Sequence, residues 1–268
     1  MQISQNAIIL LIVLVLGVFV TGFYEHDLWF ADEPREAGIA VRMLDEGNYA
    51  IPKLGQKNFL EKPPLYYWAG AGLLKINADT FFVADIMRLN SVLWGIGILG
   101  LTFWLALIWA QNWPHPNIQQ NKYYIAFLAA LLLATCNGFI TNAHTIRTDI
   151  ALGFFIVLTA VGFSEAYLNK KRWGSLLAAI GLIGGFLSKG LVAIDFGGLI
   201  WLVLLPLFIK LWQDKKTFLI WHLLLPSIVF VAGIGLWVYL LIHQGGQNAW
   251  ETWFVENSLT RFSGGGRL

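Results

Sequence analysis

The chain has 268 residues, of which 57% are hydrophobic and only 13% charged, and its formal net charge is +2. Soluble domains carry roughly 25% charged residues, so the composition excludes a water-soluble globular protein and describes an integral membrane protein. The small net charge carries no signal for nucleic acid, and the single cysteine, Cys136 in an apolar run, excludes an intrachain disulfide and any cysteine-paired metal site.

A membrane-spanning helix needs about 20 apolar residues, and seven runs qualify as candidates: about 6–23, 90–110, 123–141, 150–168, 174–188, 191–211 and 218–242. The first has no basic residues ahead of it and no small-residue cleavage site before Tyr24, so it reads as a retained span rather than a signal peptide. The fifth is short and rich in glycine (Gly174, Gly181, Gly184, Gly185), which predicts close helix packing in a bundle. Thirteen Trp and eight Tyr suit a protein with many bilayer interfaces. With no soluble domain and no internal repeat, residues 1–268 read as one membrane-embedded, all-α module.

Between the first two runs lies a polar island, from Tyr24 to Arg88, with ten of the sixteen acidic and seven of the eighteen basic residues. Asp32 or Glu33 can cap a helix there, Pro34 suits its first turn, and Glu36 favours its positive N-terminal end. Ala37, Ala40, Met43 and Leu44 share one face, and Gly47 ends the helix. Lys62 precedes a proline and is biased to extended geometry; a second helix can start at Pro63-Pro64 and run through Tyr66, Trp68 and Leu73. The island thus predicts two short amphipathic helices lying on the membrane.

Orientation follows from the Lys/Arg bias. Lys170, Lys171 and Arg172 after the fourth run, and Lys210, Lys215 and Lys216 after the sixth, belong on the cytoplasmic side. Alternation then puts the N-terminus inside. The 24–88 island, the 142–149 loop, Ser188-Lys189-Gly190 and the tail from His243 fall outside, which in a bacterium is the periplasmic face of the inner membrane.

The residues that could carry chemistry share that face. A carboxylate such as Asp32 or Glu33 at a helix start near the bilayer is well placed as a base, although capping is the plainer role. Arg35 and Arg42 can be solvated partners of nearby acids. Glu61-Lys62 can be an ordinary loop pair, yet a lysine just before a helix start, followed by aromatics, is a ready phosphate site. Arg147 and Asp149 open the fourth run, where a snorkelling pair is the alternative to a role in binding. Lys189, nearly without a loop between two apolar runs, is a functional candidate by position, with Asp195 its expected partner. Nucleotide-binding loops and familiar hydrolase motifs are missing from the sequence, which favours a lipid-linked donor over a nucleotide one.

Five stretches together make the chain resemble the polytopic glycosyltransferases of the GT-C fold, in particular the bacterial members akin to the lipid A aminoarabinose transferase and the protein O-mannosyltransferases. They are Asp32-Glu33-Pro34-Arg35-Glu36-Ala37, Glu61-Lys62-Pro63-Pro64-Leu65-Tyr66-Tyr67-Trp68, Arg88-Leu89-Asn90-Ser91, Arg147-Thr148-Asp149 and Ser188-Lys189-Gly190. The resemblance covers the whole chain but only the N-terminal part of such an enzyme, so a truncated form is one expectation.

The resemblance implies a polyprenyl-phosphate sugar donor, undecaprenyl in a bacterium, and an acceptor on lipid A, a glycan or a protein at the outer face. It implies Asp32 as catalytic base and Asp149 as a second catalytic carboxylate. Lys62, Lys189 and Arg147 face the donor phosphate, and Glu33, Arg35, Glu61 and Tyr66 contact substrate. No cofactor is implied with certainty. Glu61 can join a divalent metal site in the aminoarabinose enzymes, but the tail here, Glu256-Asn257-Ser258-Leu259-Thr260-Arg261-Phe262, lacks the histidine that would complete it. Direct displacement predicts inversion at the anomeric carbon. Two other classes remain. A non-catalytic paralogue would bind the lipid phosphate without turning it over. A secondary transporter would need ionisable groups along a midplane path, often in repeated halves, whereas here the charges gather at one surface.

Overall fold

A computed structural model describes residues 31–77, 82–211 and 218–259, with isolated positions between 9 and 28. Most of the first candidate span, 6–23, therefore lies outside the described residues, as do Thr260, Arg261 and Phe262. The other six apolar runs are mainly helical.

The island folds as two helices joined by a small hairpin. Helix α1 (Asp32–Glu46) ends at Gly47, whose φ of 64° is the left-handed cap that glycine adopts without strain. Its start differs from the expectation of a carboxylate cap. Ala31 holds the N-cap position and no side chain caps it, because Asp32 bonds Arg35 instead and Glu33 turns inward. Strands β1 (Lys53–Leu54) and β2 (Lys57–Asn58) pair antiparallel, Lys53 opposite Asn58, and helix α2 (Leu65–Asn77) follows. The hairpin was not legible in the sequence, since two-residue strands leave no alternation to read. Ile39, Ala40 and Met43 of α1 are buried with Tyr66 and Tyr67 of α2 and with Met87. The island's apolar face is thus closed against protein.

Helix α3 (Val83–Asn112) has 30 residues and is about 45 Å long at 1.5 Å per residue. After the short α4 (Pro116–Gln120) the chain forms α5 (Lys122–Ala134) and α6 (Asn137–His144), bent 66° from each other. A continuous span over 123–141 was expected; the break has a local cause. The Thr135 hydroxyl donates back to Leu131 and Leu132 carbonyls, and Cys136 leaves the helical region at φ −71°, ψ 119°.

Helices α7 (Thr148–Tyr167) and α8 (Arg172–Lys189) form an antiparallel pair, followed by α9 (Val192–Leu211), a π-helical segment Phe218–Leu224, α10 (Leu225–Glu251) and π-helical Thr252–Leu259. The glycine expectation for α8 is met: a Cβ on Gly174 would sit 2.5 Å from the Ala166 nitrogen, and one on Gly162 would sit 2.4 Å from the Ala178 nitrogen. Backbone meets backbone at both places, so only glycine fits.

Among the described residues, three helices are long and apolar enough to span a membrane: Val83–Asn112, Thr148–Tyr167 and Ile220–Asn257. They become four if the bent pair α5–α6 counts as one span. The apolar part of α9 is shorter, Val192–Leu204, and Pro206 lies within the helix. Helix α10 crosses back to the island. Trp237 donates to the Ala50 carbonyl at 3.3 Å and Asn257 to the Leu60 carbonyl at 3.0 Å. Phe186, Trp237 and Trp253 interlock edge to face, Trp237 and Trp253 with centroids 4.9 Å apart.

Candidate active site

The site is assembled from four segments that the sequence keeps far apart: the first turn of α1, residues 61–67, the turn between α6 and α7, and the end of α8. Two buried side chains hold the first three together. Glu33 is fully buried; its carboxylate receives Arg88 Nε and Nη2, each at 3.2 Å, and the Ile146 N–H at 3.2 Å. Arg88 is itself buried and also meets Asp85 at 3.8 Å. A buried carboxylate is tolerable only with this kind of saturation, a forked guanidinium plus a backbone donor. Tyr66, also fully buried, pairs its hydroxyl with Ser91 Oγ at 2.7 Å, and Asn90 donates to the Tyr66 carbonyl at 3.2 Å. Burial pushes the Tyr66 phenol above its ordinary value, partly opposed by the Ser91 hydrogen bond, with the backbone of Arg147 a smaller contact in the same direction. The extended turn at Ile146-Arg147 is thereby pinned from below by Glu33 and Tyr66.

Above this floor stand the more open charges. Asp32 accepts from Arg35 Nη2 at 2.6 Å; the two side chains are 40% and 31% exposed, so this carboxylate is reachable. Glu36, one turn on, is fully enclosed and takes both Lys62 and the Tyr67 hydroxyl, with Arg35 at 3.5 Å. Burial, followed by the neighbouring Glu36 charge, raises the Tyr67 phenol well above its ordinary value. Arg35 also lies over the Phe59 ring, 5.5 Å from its centroid. Lys62 is 17% exposed, its ammonium held by Glu36 at the edge of the open face. Glu61 is exposed.

The last segment brings Lys189, the final residue of α8, onto Asp149 in the first turn of α7, both partly exposed. The expectation that Asp195 would partner Lys189 is corrected. Asp195 is exposed in the first turn of α9, while the antiparallel packing of α7 and α8 sets Asp149 opposite the lysine. Arg147 is half-buried in extended backbone just before α7. Every site residue expected from sequence therefore lies at one end of the bundle, but in two kinds of setting. Asp32, Arg35, Glu61, Asp149 and Lys189 reach the open surface, Lys62 and Arg147 lie at its edge, and Glu33 and Tyr66 lie beneath. Sequence reading gave Glu36 only a favourable place at the positive end of α1; its contacts with Lys62 and Tyr67 come from the fold.

Among the described residues no three His, Cys, Asp or Glu side chains gather as ligands, and Glu61 stands in an exposed loop.

The chain is similar in sequence and fold to known proteins. Residues 53–245 match the family model described as dolichyl-phosphate-mannose-protein mannosyltransferase. A protein of Pseudomonas savastanoi pv. phaseolicola named undecaprenyl phosphate-alpha-4-amino-4-deoxy-L-arabinose arabinosyl transferase is 28% identical over 265 residues, 97% of this chain and 45% of the relative. A Proteus mirabilis protein of the same name is 25% identical over 241 residues, covering 88% of this chain and 40% of its own. The crystal structure of ArnT from Cupriavidus metallidurans bound to undecaprenyl phosphate superposes with a TM-score of 0.81 at 18% identity, over 96% of this chain and 45% of that one. Its apo form gives 0.77. The fold is thus that of ArnT, and the chain spans less than half the length of the relatives it matches.

Proposed function

The chain belongs to the dolichyl-phosphate-mannose-protein mannosyltransferase family, and we propose that it moves a sugar from a polyprenyl phosphate to a hydroxyl or phosphate acceptor at the outer face of the inner membrane, with inversion. One observation carries the reading. A reachable carboxylate, Asp32, shares one end of the bundle with cations from three separate segments, Arg35, Lys62 and Lys189. A phosphate leaving group needs that concentration of positive charge, and an attacking hydroxyl needs a base. The relatives named for an undecaprenyl phosphate donor support the same class of donor here.

In this mechanism the sugar–phosphate bond breaks and negative charge grows on the phosphate. Lys62, Lys189 and Arg147 stabilise that charge. Lys62 exchanges part of its contact with Glu36 for the phosphate, and Asp149 holds Lys189 in place. Asp32 takes the proton of an attacking hydroxyl, or orients the acceptor when the nucleophile is already a phosphate. Arg35 holds Asp32 in position through their ion pair, and Glu61 lies where it can meet substrate. Glu33 and Tyr66 contribute from beneath by fixing the Ile146-Arg147 turn. The acceptor is lipid A, a glycan or a protein. The donor phosphate sits at headgroup level with its tail in lipid, so the whole of residues 1–268 works as one membrane-embedded module.

The test is transfer of labelled sugar from a polyprenyl-phosphate donor in membranes holding the chain, with Asp32→Asn as comparison. Asp32-dependent transfer is the expected result, and loss of about 100-fold or more accompanies removal of a general base. Donor binding without transfer by the unaltered chain would instead assign it as a lipid-phosphate binder, the role open to a chain that spans less than half of its relatives.

A further inference from the structure

A groove lies in the other half of the bundle. Helix α8 begins at Arg172 and ends at Lys189; its 18 residues put about 26 Å of helix axis between them at about 1.5 Å per residue. In the half near Arg172, helices α7, α8, α9 and α10 enclose a groove of about 410 Å³, within the range of small-ligand sites. Its walls are apolar and aromatic: Phe163, Tyr167, Trp201, Phe230 and Val231. Its polar end is Ser175, whose hydroxyl meets His222 Nδ1 at 2.7 Å. Val231 is 67% exposed, so the groove is open on the side of α10.

Beside that polar end stands a cluster of cations. The Arg172 guanidinium lies over the ring of Trp221, the neighbour of His222, 5.6 Å from its centroid. Lys170 and Lys171 are exposed next to it. Their turn is tight, with Lys170 at φ 54° and the Lys171 N–H bonded to the Glu165 carbonyl at 3.0 Å. The carboxylate of Glu165 is not available to neutralise them. It is buried and accepts Trp104 Nε1 at 2.9 Å and Asn169 Nδ2 at 2.8 Å.

We propose that this groove holds an anionic glycerophospholipid from the leaflet opposite the candidate active site. An acyl chain lies along the aromatic walls, and the phosphate is held by Arg172, with Lys170 and Lys171 completing the charge. The combination selects a lipid over a soluble anion, because an apolar groove open to the bilayer joins a basic headgroup position at the interface. The site is independent of sugar transfer.

The experiment is native mass spectrometry of the full chain released from nanodiscs of phosphatidylglycerol and phosphatidylcholine in equal parts. The expected result is retention of phosphatidylglycerol over phosphatidylcholine, with Arg172→Gln lowering that preference about fivefold, the effect of one cation beside an anionic headgroup. Arg172→Lys keeps most of it. Arg42→Gln, which removes the same charge from the island, leaves it unchanged. Ser227→Trp, which fills the groove from an exposed position of α10, removes the bound lipid while the charge stays. Equal retention of the two lipids overturns the proposal. So does equal loss in Arg42→Gln and Arg172→Gln, which would mean bulk attraction, or full retention in Ser227→Trp, which would empty the groove of any role.

Discussion

The Glu33 carboxylate accepts the backbone N–H of Ile146 at 3.2 Å across 113 residues of chain. That bond joins the first turn of α1 to the turn that opens α7, and so sets Asp32 and Asp149 in one frame. Arg88 closes the arrangement with two further bonds to the same carboxylate.

Removing one partner of this buried pair is therefore costly. Arg88→Met leaves Glu33 charged and enclosed, and the expected loss is about 3–5 kcal/mol. The double variant Glu33→Gln with Arg88→Met should lose clearly less than Arg88→Met alone. Thermal unfolding in detergent, followed by circular dichroism for both variants, measures the difference. Equal losses would mean that the pair is not coupled.

The Asp149–Lys189 pair behaves differently, because both side chains are partly exposed. Such a pair contributes about 0–1 kcal/mol to stability. Lys189→Gln should therefore leave the melting temperature nearly unchanged. If Lys189 faces the donor phosphate, the same change weakens polyprenyl-phosphate binding by about tenfold, the value of one charge-assisted contact. Binding measured beside melting on one preparation separates the two effects.

Asp32 offers a similar contrast. Its ion pair with Arg35 is exposed enough to add little to the fold, so Asp32→Asn is expected to melt like the unaltered chain while transfer falls. A large drop in melting temperature would make Asp32 a structural residue and remove its assignment as base.

Alkaline pH should loosen the island. Tyr66 and Tyr67 have phenols raised above the ordinary value, mainly by burial. A group whose folded value is raised contributes stability that is fully present below its unfolded value, near 10 for tyrosine, and that is lost as pH rises beyond it. Melting temperature should fall progressively as pH rises above about 10, and Tyr66→Phe should flatten part of that fall. Phenolate absorbance should show tyrosines that resist ionisation until the protein unfolds, with one fewer of them in Tyr66→Phe. An unchanged slope in Tyr66→Phe would count against a buried, protonated Tyr66.

Close packing of α7 on α8 is the last test. Gly174→Leu places a side chain where a Cβ would already be 2.5 Å from backbone. Overpacking of this kind costs about 1–3 kcal/mol or more, read as a lowered melting temperature. Gly72→Leu, where nothing lies within 4 Å of the added Cβ, should be tolerated.

Much of this protein was legible from local rules. The apolar runs named the helices because a bilayer demands about 20 apolar residues whatever their partners. Gly47 named the end of α1, since only its left-handed φ was needed there. The charged stretches named the end of the bundle where the candidate site gathers, because charge is excluded from hydrocarbon. Long-range pairing was not written locally. Glu33 looks like Asp32 in sequence, yet one is sealed under Arg88 and Ile146 while the other stays reachable. Lys189 could as well have met Asp195, six residues on; the antiparallel fit of α7 and α8, set by glycines that let the backbones touch, gave it Asp149. Composition and periodicity follow from each residue's own solvation and backbone preferences. Which carboxylate meets which cation depends on how helices distant in sequence pack, and only the tertiary structure decides that.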